Sequence, residues 1–166
     1  EDWEIYDKDD KKIIIPAGIY TYYAYDFFSR TDASKPLSMR VGGDLGEFFN
    51  CTRYGGNMSF TYKPSAHVSW NFSYNVNRVS LPAGQFTTNV ISTRFIYTLS
   101  RDMFAKAFVQ WNDTSEIFSF NLLYNFYFRS GSDVYLVYNH IWDTSGAHLQ
   151  TDNRSLLLKF SYWLNM

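Results

Sequence analysis

Residues 68–77 read VSWNFSYNVN. Val68, Trp70, Phe72, Tyr74 and Val76 fall on one side of an extended chain, and Ser69, Asn71, Ser73, Asn75 and Asn77 on the other. Strict two-residue alternation marks a strand with one apolar and one polar face. The polar side is amide and hydroxyl rather than charged, and the apolar side is broad and aromatic. That division fits a closed barrel in a bilayer, apolar toward lipid and polar toward its interior.

The pattern recurs from residue 19 to the C-terminus. Phe118, Phe120, Leu122, Tyr124, Phe126 and Phe128 share a side, opposed by Ser119, Asn121, Asn125 and Arg129. Leu156, Leu158, Phe160, Tyr162 and Leu164 alternate with Ser155, Lys159 and Ser161, and Leu37, Met39 and Val41 with Ser38, Arg40 and Asp44. Val134 to His140 is apolar on both sides. Strands are expected near 1–7, 19–30, 37–46, 56–63, 67–77, 87–99, 103–112, 117–129, 133–142 and 154–165. Most have about the ~9–11 residues of a tilted membrane strand. The expected fold is all-β, a transmembrane antiparallel up-and-down barrel of about ten strands, as the C-terminal section of a larger barrel.

Lys63-Pro-Ser-Ala66, Ser100-Arg-Asp102 and Ser130-Gly-Ser-Asp133 read as tight turns. Residues 46–55, 78–86, 112–116 and 142–154 read as longer connections, and 8–18 as a further one. Short turns in membrane barrels lie on the periplasmic side and longer loops outside, so these connections are expected outside and the C-terminus in the periplasm.

Composition agrees. Of 166 residues, 20% are aromatic and 19% charged, the latter below the ~25% of ordinary soluble domains. Mean hydropathy is −0.30. No apolar run approaches the ~18 residues of a membrane helix. The net charge of −1 gives no reason to expect nucleic acid. A single Cys51 excludes an internal disulfide framework and a CxxC site. The opening EDWEIYDKDDKK lacks the basic start, apolar core and cleavage site of a signal peptide and includes strand-like sequence. The expectation is a segment of a larger protein, its first strand pairing with something other than residues 154–165.

Six segments carry a resemblance: Ile15-Pro-Ala-Gly-Ile-Tyr20, Tyr62-Lys-Pro-Ser-Ala-His-Val68, Asn77-Arg-Val-Ser-Leu-Pro82, Gly84-Gln-Phe-Thr-Thr88, Gly131-Ser-Asp-Val-Tyr-Leu-Val-Tyr-Asn139 and Asn153-Arg-Ser-Leu-Leu-Leu-Lys-Phe160. Together they resemble the C-terminal barrel region of a family of bacterial outer-membrane proteins. In that family a module resembling family 9 carbohydrate-binding domains precedes the barrel. The resemblance implies an outer-membrane barrel with a further N-terminal portion. It supplies no catalytic residues.

From alternation, Trp70, Phe72, Tyr74, Phe120, Tyr124, Phe126, Phe160 and Tyr162 are expected to face lipid. Arg40, Asp44, Asn71, Asn75, Arg94, Lys106, Asn121, Arg129 and Lys159 are expected in the lumen, where the basic excess either attracts anions or sits in interior ion pairs. Trp and Tyr suit interfacial girdles, and sugar-stacking platforms are the competing use. His140 and His148 with Asp143 or Asp152 have donor types for a metal, and a serine beside His140 would give a hydrolase. Solvated loop residues account for both groups, so no catalytic residue, metal or cofactor is assigned. The expected role is that of a pore, anchor or docking scaffold in the outer membrane. Partners would be lipid and upstream barrel strands, an N-terminal domain or another outer-membrane chain. Two alternatives stand: a soluble lipocalin-like ligand-binding barrel, and an outer-membrane hydrolase. The lipocalin reading turns the aromatics inward and calls for Lys and Glu on the Ser/Asn side, which they do not crowd.

Overall fold

The computed structural model describes residues 3–6, 12–15, 19, 21, 23–48, 51–81, 84–146 and 148–164. They form strands and turns without helix. β1 (Trp3–Tyr6) and β2 (Lys12–Ile15) form an antiparallel hairpin of their own. β3 (Ala24–Arg30), β4 (Leu37–Phe48), β5 (Cys51–Ser65), β6 (Val68–Leu81), β7 (Gly84–Ser100), β8 (Met103–Asn112), β9 (Ile117–Arg129), β10 (Ser132–Asp143) and β11 (Gln150–Ser161) form one nine-stranded sheet. Each of its strands pairs antiparallel with its neighbour in the chain. β3 and β11 are its edges.

Register carries the two-residue alternation across the sheet. Leu37, Tyr62, Trp70, Phe95, Ala107, Leu122, Tyr138 and Leu156 oppose one another in succession from β4 to β11. The next row, Ser38, Thr61, Asn71, Arg94, Phe108, Asn121, Asn139 and Ser155, is polar except for Phe108. Apolar and polar rows then alternate again. A one-residue slip anywhere would put aromatic side chains in a polar row, so the pattern pins the register.

Several sequence expectations are corrected. Among the described residues the ten expected strands are eleven, because residues 12–15, expected in an outer loop, form β2. Residues 46–48 and 51–55 belong to β4 and β5, and 78–81 and 84–86 to β6 and β7, so these two long connections are largely strand. Positions 49–50, 82–83 and 147, like Pro16, Gly18 and both ends of the 1–7 strand, lie outside the described residues. Gly46 and Gly55 bound the expected 46–55 connection, but they lie in strand and, like Gly42, Gly43 and Gly56, give room to neighbouring strands. The Phe27 ring covers Gly43, where a Cβ would lie 2.7 Å from Phe27 Cζ. A Cβ on Gly55 would run into the Asp44 carboxylate, which pairs with Arg53 Nε at 3.2 Å. Gly43→Ala is expected to lift the Phe27 ring and destabilise the β3–β4 edge by ~1–3 kcal/mol, read by urea unfolding. An unchanged midpoint would mean that the ring shifts freely.

The turns match their residues. Pro64 sits in an irregularity between Tyr62 and Ser65, where its missing N–H leaves no ladder bond unmade. Gly131 closes the β9–β10 turn at φ 73°. At residues 113–116 the Asn112 side chain accepts from the N–H of Thr114 (3.0 Å) and Ser115 (3.3 Å), and Glu116 takes φ 52°. In the 31–36 connection the Asp32 carboxylate accepts from Ser34 N–H at 2.9 Å, and bonding to Ser34 holds its pKa below the usual carboxylate value.

Candidate functional site

The two faces of the sheet are chemically distinct. The aromatic face holds Trp70, Phe72, Tyr74, Phe120, Tyr124, Phe126 and Phe160 by register. Phe60 stacks on Phe72 at 5.3 Å and meets Trp70 edge-on at 5.0 Å. Near the turns joining β9 to β10, Phe128 stacks on Phe160 at 5.5 Å and on Tyr162 at 6.5 Å. At the opposite end Phe118 meets Trp142 at 5.4 Å. Much of this surface is open: Leu156, Leu158 and Phe160 are 69%, 68% and 65% exposed.

The other face holds Arg40, Asp44, Asn71, Asn75, Arg94, Lys106, Asn121 and Lys159. One row runs Arg30, Arg40, Ser59, Ser73, Ser92, Gln110, Ser119, Ile141 and Asn153 across all nine strands. Side chains bond along it and its neighbour: Asn71 Nδ2 donates to Thr61 Oγ1 at 2.6 Å, and the Ser73 and Ser92 hydroxyls meet at 2.8 Å. Asn121 donates to Asn139, which donates to Ser155 at 3.1 Å. Arg94 lies over the Phe108 ring at 5.2 Å. Arg30 and Arg40 line a groove of about 520 Å³ with Ser38, Ser59 and Thr61. Of the expected lumen residues, only Asp44 has an ion pair among the described residues, so a general network of interior ion pairs is not what the geometry shows.

Arg129 departs from its expected company. At the hairpin end it donates to Tyr162 Oη at 3.1 Å and lies 6.0 Å from that ring's centre. A residue expected in the lumen thus meets one expected in lipid, because the register shifts between Ser132 and Asp133 where the strand ends. In the same corner Trp163 N–H donates to Ser132 Oγ at 3.0 Å.

His140 stands on the aromatic face. Its Nδ1 is 2.9 Å from Tyr138 Oη, its Nε2 3.1 Å from Thr151 Oγ1, and its ring stacks on Trp142 at 3.6 Å. A hydroxyl does meet the imidazole, but it belongs to threonine rather than serine. It reaches His140 only through the irregular pairing of β10 with β11 after Ile141, which spacing along the chain does not reveal. Among the described residues no carboxylate bonds His140. Among the described residues no three His, Cys, Asp or Glu gather as metal ligands.

No protein-family model matches the chain, and no curated protein matches it.

Proposed function

We propose that this chain is the greater part of the wall of a bacterial outer-membrane β-barrel, its aromatic face toward lipid and its amide and hydroxyl face toward the interior. Its role is that of a pore, an anchor or a docking scaffold. The observation that carries the reading is the burial pattern. The only fully buried side chains among the described residues are Asn125 and Ser132, both polar. A soluble domain of this size buries its large apolar side chains. Here most of them stand in rows on one face, with Ile96, Phe108, Leu123, Val137 and Leu157 on the other. Lipid satisfies such a face, and a wet interior satisfies the other.

Dimensions support it. Phe118 and Phe128 mark the two ends of the aromatic face on β9. Ten residues at ~3.4 Å each, tilted by ~40°, span ~26 Å along the membrane normal, against an apolar band of ~25 Å. Tyr and Trp gather near both ends, as interfacial anchors do.

Sidedness rests on overhang rather than loop length. Asn112 of β8 pairs with Val90, so β7 from Gly84 to Asn89, paired with β6, continues past the end of β8. There the aromatic face turns polar, with Arg78, Thr87 and Asn89, and Arg78 donates to Gln85 at 2.8 Å. This projecting hairpin belongs outside the cell, leaving the turns 66–67, 101–102 and 130–131 in the periplasm.

Spin labels test the orientation. Labels at Phe72, Tyr124 and Phe160 should be relaxed by oxygen dissolved in the bilayer, and labels at Asn71, Ser73 and Asn121 by a water-soluble paramagnet. The reverse pattern would establish the lipocalin-like barrel.

A further inference from the structure

We propose that the β3–β4 section of the polar face binds a small dipolar solute, a free peptide of about three residues, its carboxylate held by Arg30 and Arg40 and its ammonium by Asp26. The observation that carries it is a pattern of like charges. Arg30 lies directly opposite Arg40 across the ladder, and Asp26 directly opposite Asp44. No other two like-charged side chains of Lys, Arg, Asp or Glu oppose each other in the described register. Like charges face to face weaken a sheet. Exchanging Asp26 with Arg30 would set an acid opposite a base in both places. The charges are therefore not arranged for the ladder.

They suit something that lies along it. The two pairs share the polar face and stand four residues apart on β4, ~13 Å at ~3.3 Å per residue. Between them Phe28 lies opposite Gly42 and is 77% exposed. A groove of about 450 Å³ joins the pairs, lined by Asp26, Phe28, Asp44 and Asn57 as well as both arginines. The arginines also line the 520 Å³ groove beside the 31–36 connection, with Ser38, Ser59 and Thr61.

The charged groups are available. Arg53 pairs with Asp44, Arg78 donates to Gln85, Arg94 lies over Phe108 and Arg129 donates to Tyr162. Arg30 and Arg40 have no such partner among the described residues. Asp32 also lines their groove, and its carboxylate accepts from Ser34 N–H. At the other end Arg53 neutralises Asp44, while Asp26 has no ion pair among the described residues.

These groups define the ligand. Two guanidinium forks suit one carboxylate, whose two oxygens accept several hydrogen bonds. An extended tripeptide spans ~10–11 Å, and the long arginine side chains make up the remaining distance. Phe28 offers its ring to an apolar side chain in the middle of the peptide. An anion without an amine would leave Asp26 unanswered, and a cation alone would meet two arginines. That the site lies in a passage, which it would make selective for short peptides, rests on the membrane-barrel reading; the binding itself does not.

The test is calorimetric titration of the protein, purified from outer membranes in detergent, with free Ala-Phe-Ala and with its N-acetyl and C-amide forms. The acetyl form should bind about 3-fold more weakly, as for one exposed ion pair. The amide form should bind about 10-fold more weakly, since it loses charge-assisted hydrogen bonds to two arginines. In Arg40→Gln the gap between the free and amide forms should shrink, and in Asp26→Asn the gap between the free and acetyl forms should close. Combining Asp26→Arg with Arg30→Asp should abolish binding and leave the denaturation midpoint no lower, which separates loss of the site from loss of the fold. No binding of the free peptide, equal binding of its three forms, or binding that survives the exchange would overturn the proposal. Failure of the barrel reading is a different result, in which the spin labels report the reversed orientation while the peptide still binds.

Discussion

Phe72→Arg is expected to destabilise the protein by ~2–4 kcal/mol in a lipid bilayer, the cost of an arginine near the midplane on the outer face of a barrel. Phe72 lies mid-strand in β6, between Phe60 and Thr93 on the neighbouring strands. Its stacking on Phe60 at 5.3 Å accounts for part of any loss. Phe72→Ala measures that part, with ~0.5–1.5 kcal/mol coming from the aromatic pair beyond area. Asn75→Arg, nearby in the same strand but on the polar face beside Asn57, should cost less than ~1 kcal/mol. The comparison is made by reversible denaturant unfolding in lipid. Equal costs for the two arginines would remove the lipid-facing assignment. A larger cost for Asn75→Arg would favour the barrel with its aromatics inside.

What the sequence made legible was periodic. Trp70, Phe72 and Tyr74 against Asn71, Ser73 and Asn75 give strand type, face and register at once, because sheet register preserves the two-residue period from strand to strand. What it hid was non-periodic or non-local. Gly46 and Gly55 look like the ends of a loop, and only cross-strand neighbours such as Ala24 and Asp44 explain them as strand. Residues 78–86 look like a loop because polar residues appear on both faces where the hairpin projects. The short β2 segment, Lys12-Ile-Ile-Ile15, has no alternation to read. The partnership of His140 with Thr151 depends on one register shift, and so does that of Arg129 with Tyr162. A period conveys nothing about where it is broken.

Those breaks are also where single substitutions should act most locally. Gly131→Val is expected to cost ~2–4 kcal/mol. Gly131 has φ 73°, a left-handed conformation that a β-branched residue adopts only under strain of ~1–3 kcal/mol. A Cβ there would also lie 2.9 Å from Trp163 Cβ, and overpacking of that kind adds to the strain. The turn's geometry sets the pairing of Arg129 with Ser132, and Ser132 in turn accepts from Trp163 N–H. The damage should therefore spread to the Arg129–Tyr162 contact and the end of β11 rather than stay in the turn. Gly131→Asn separates the two causes. Asparagine tolerates positive φ but still carries a Cβ, so it should recover the conformational share and leave the clash. Hydrogen exchange at 127–135 and 158–163, measured with the denaturation midpoint, reads both. If Gly131→Val leaves exchange in 158–163 unchanged, Trp163 is not held by this corner. If Gly131→Asn is as damaging as Gly131→Val, the contact with Trp163 rather than the backbone is what requires glycine.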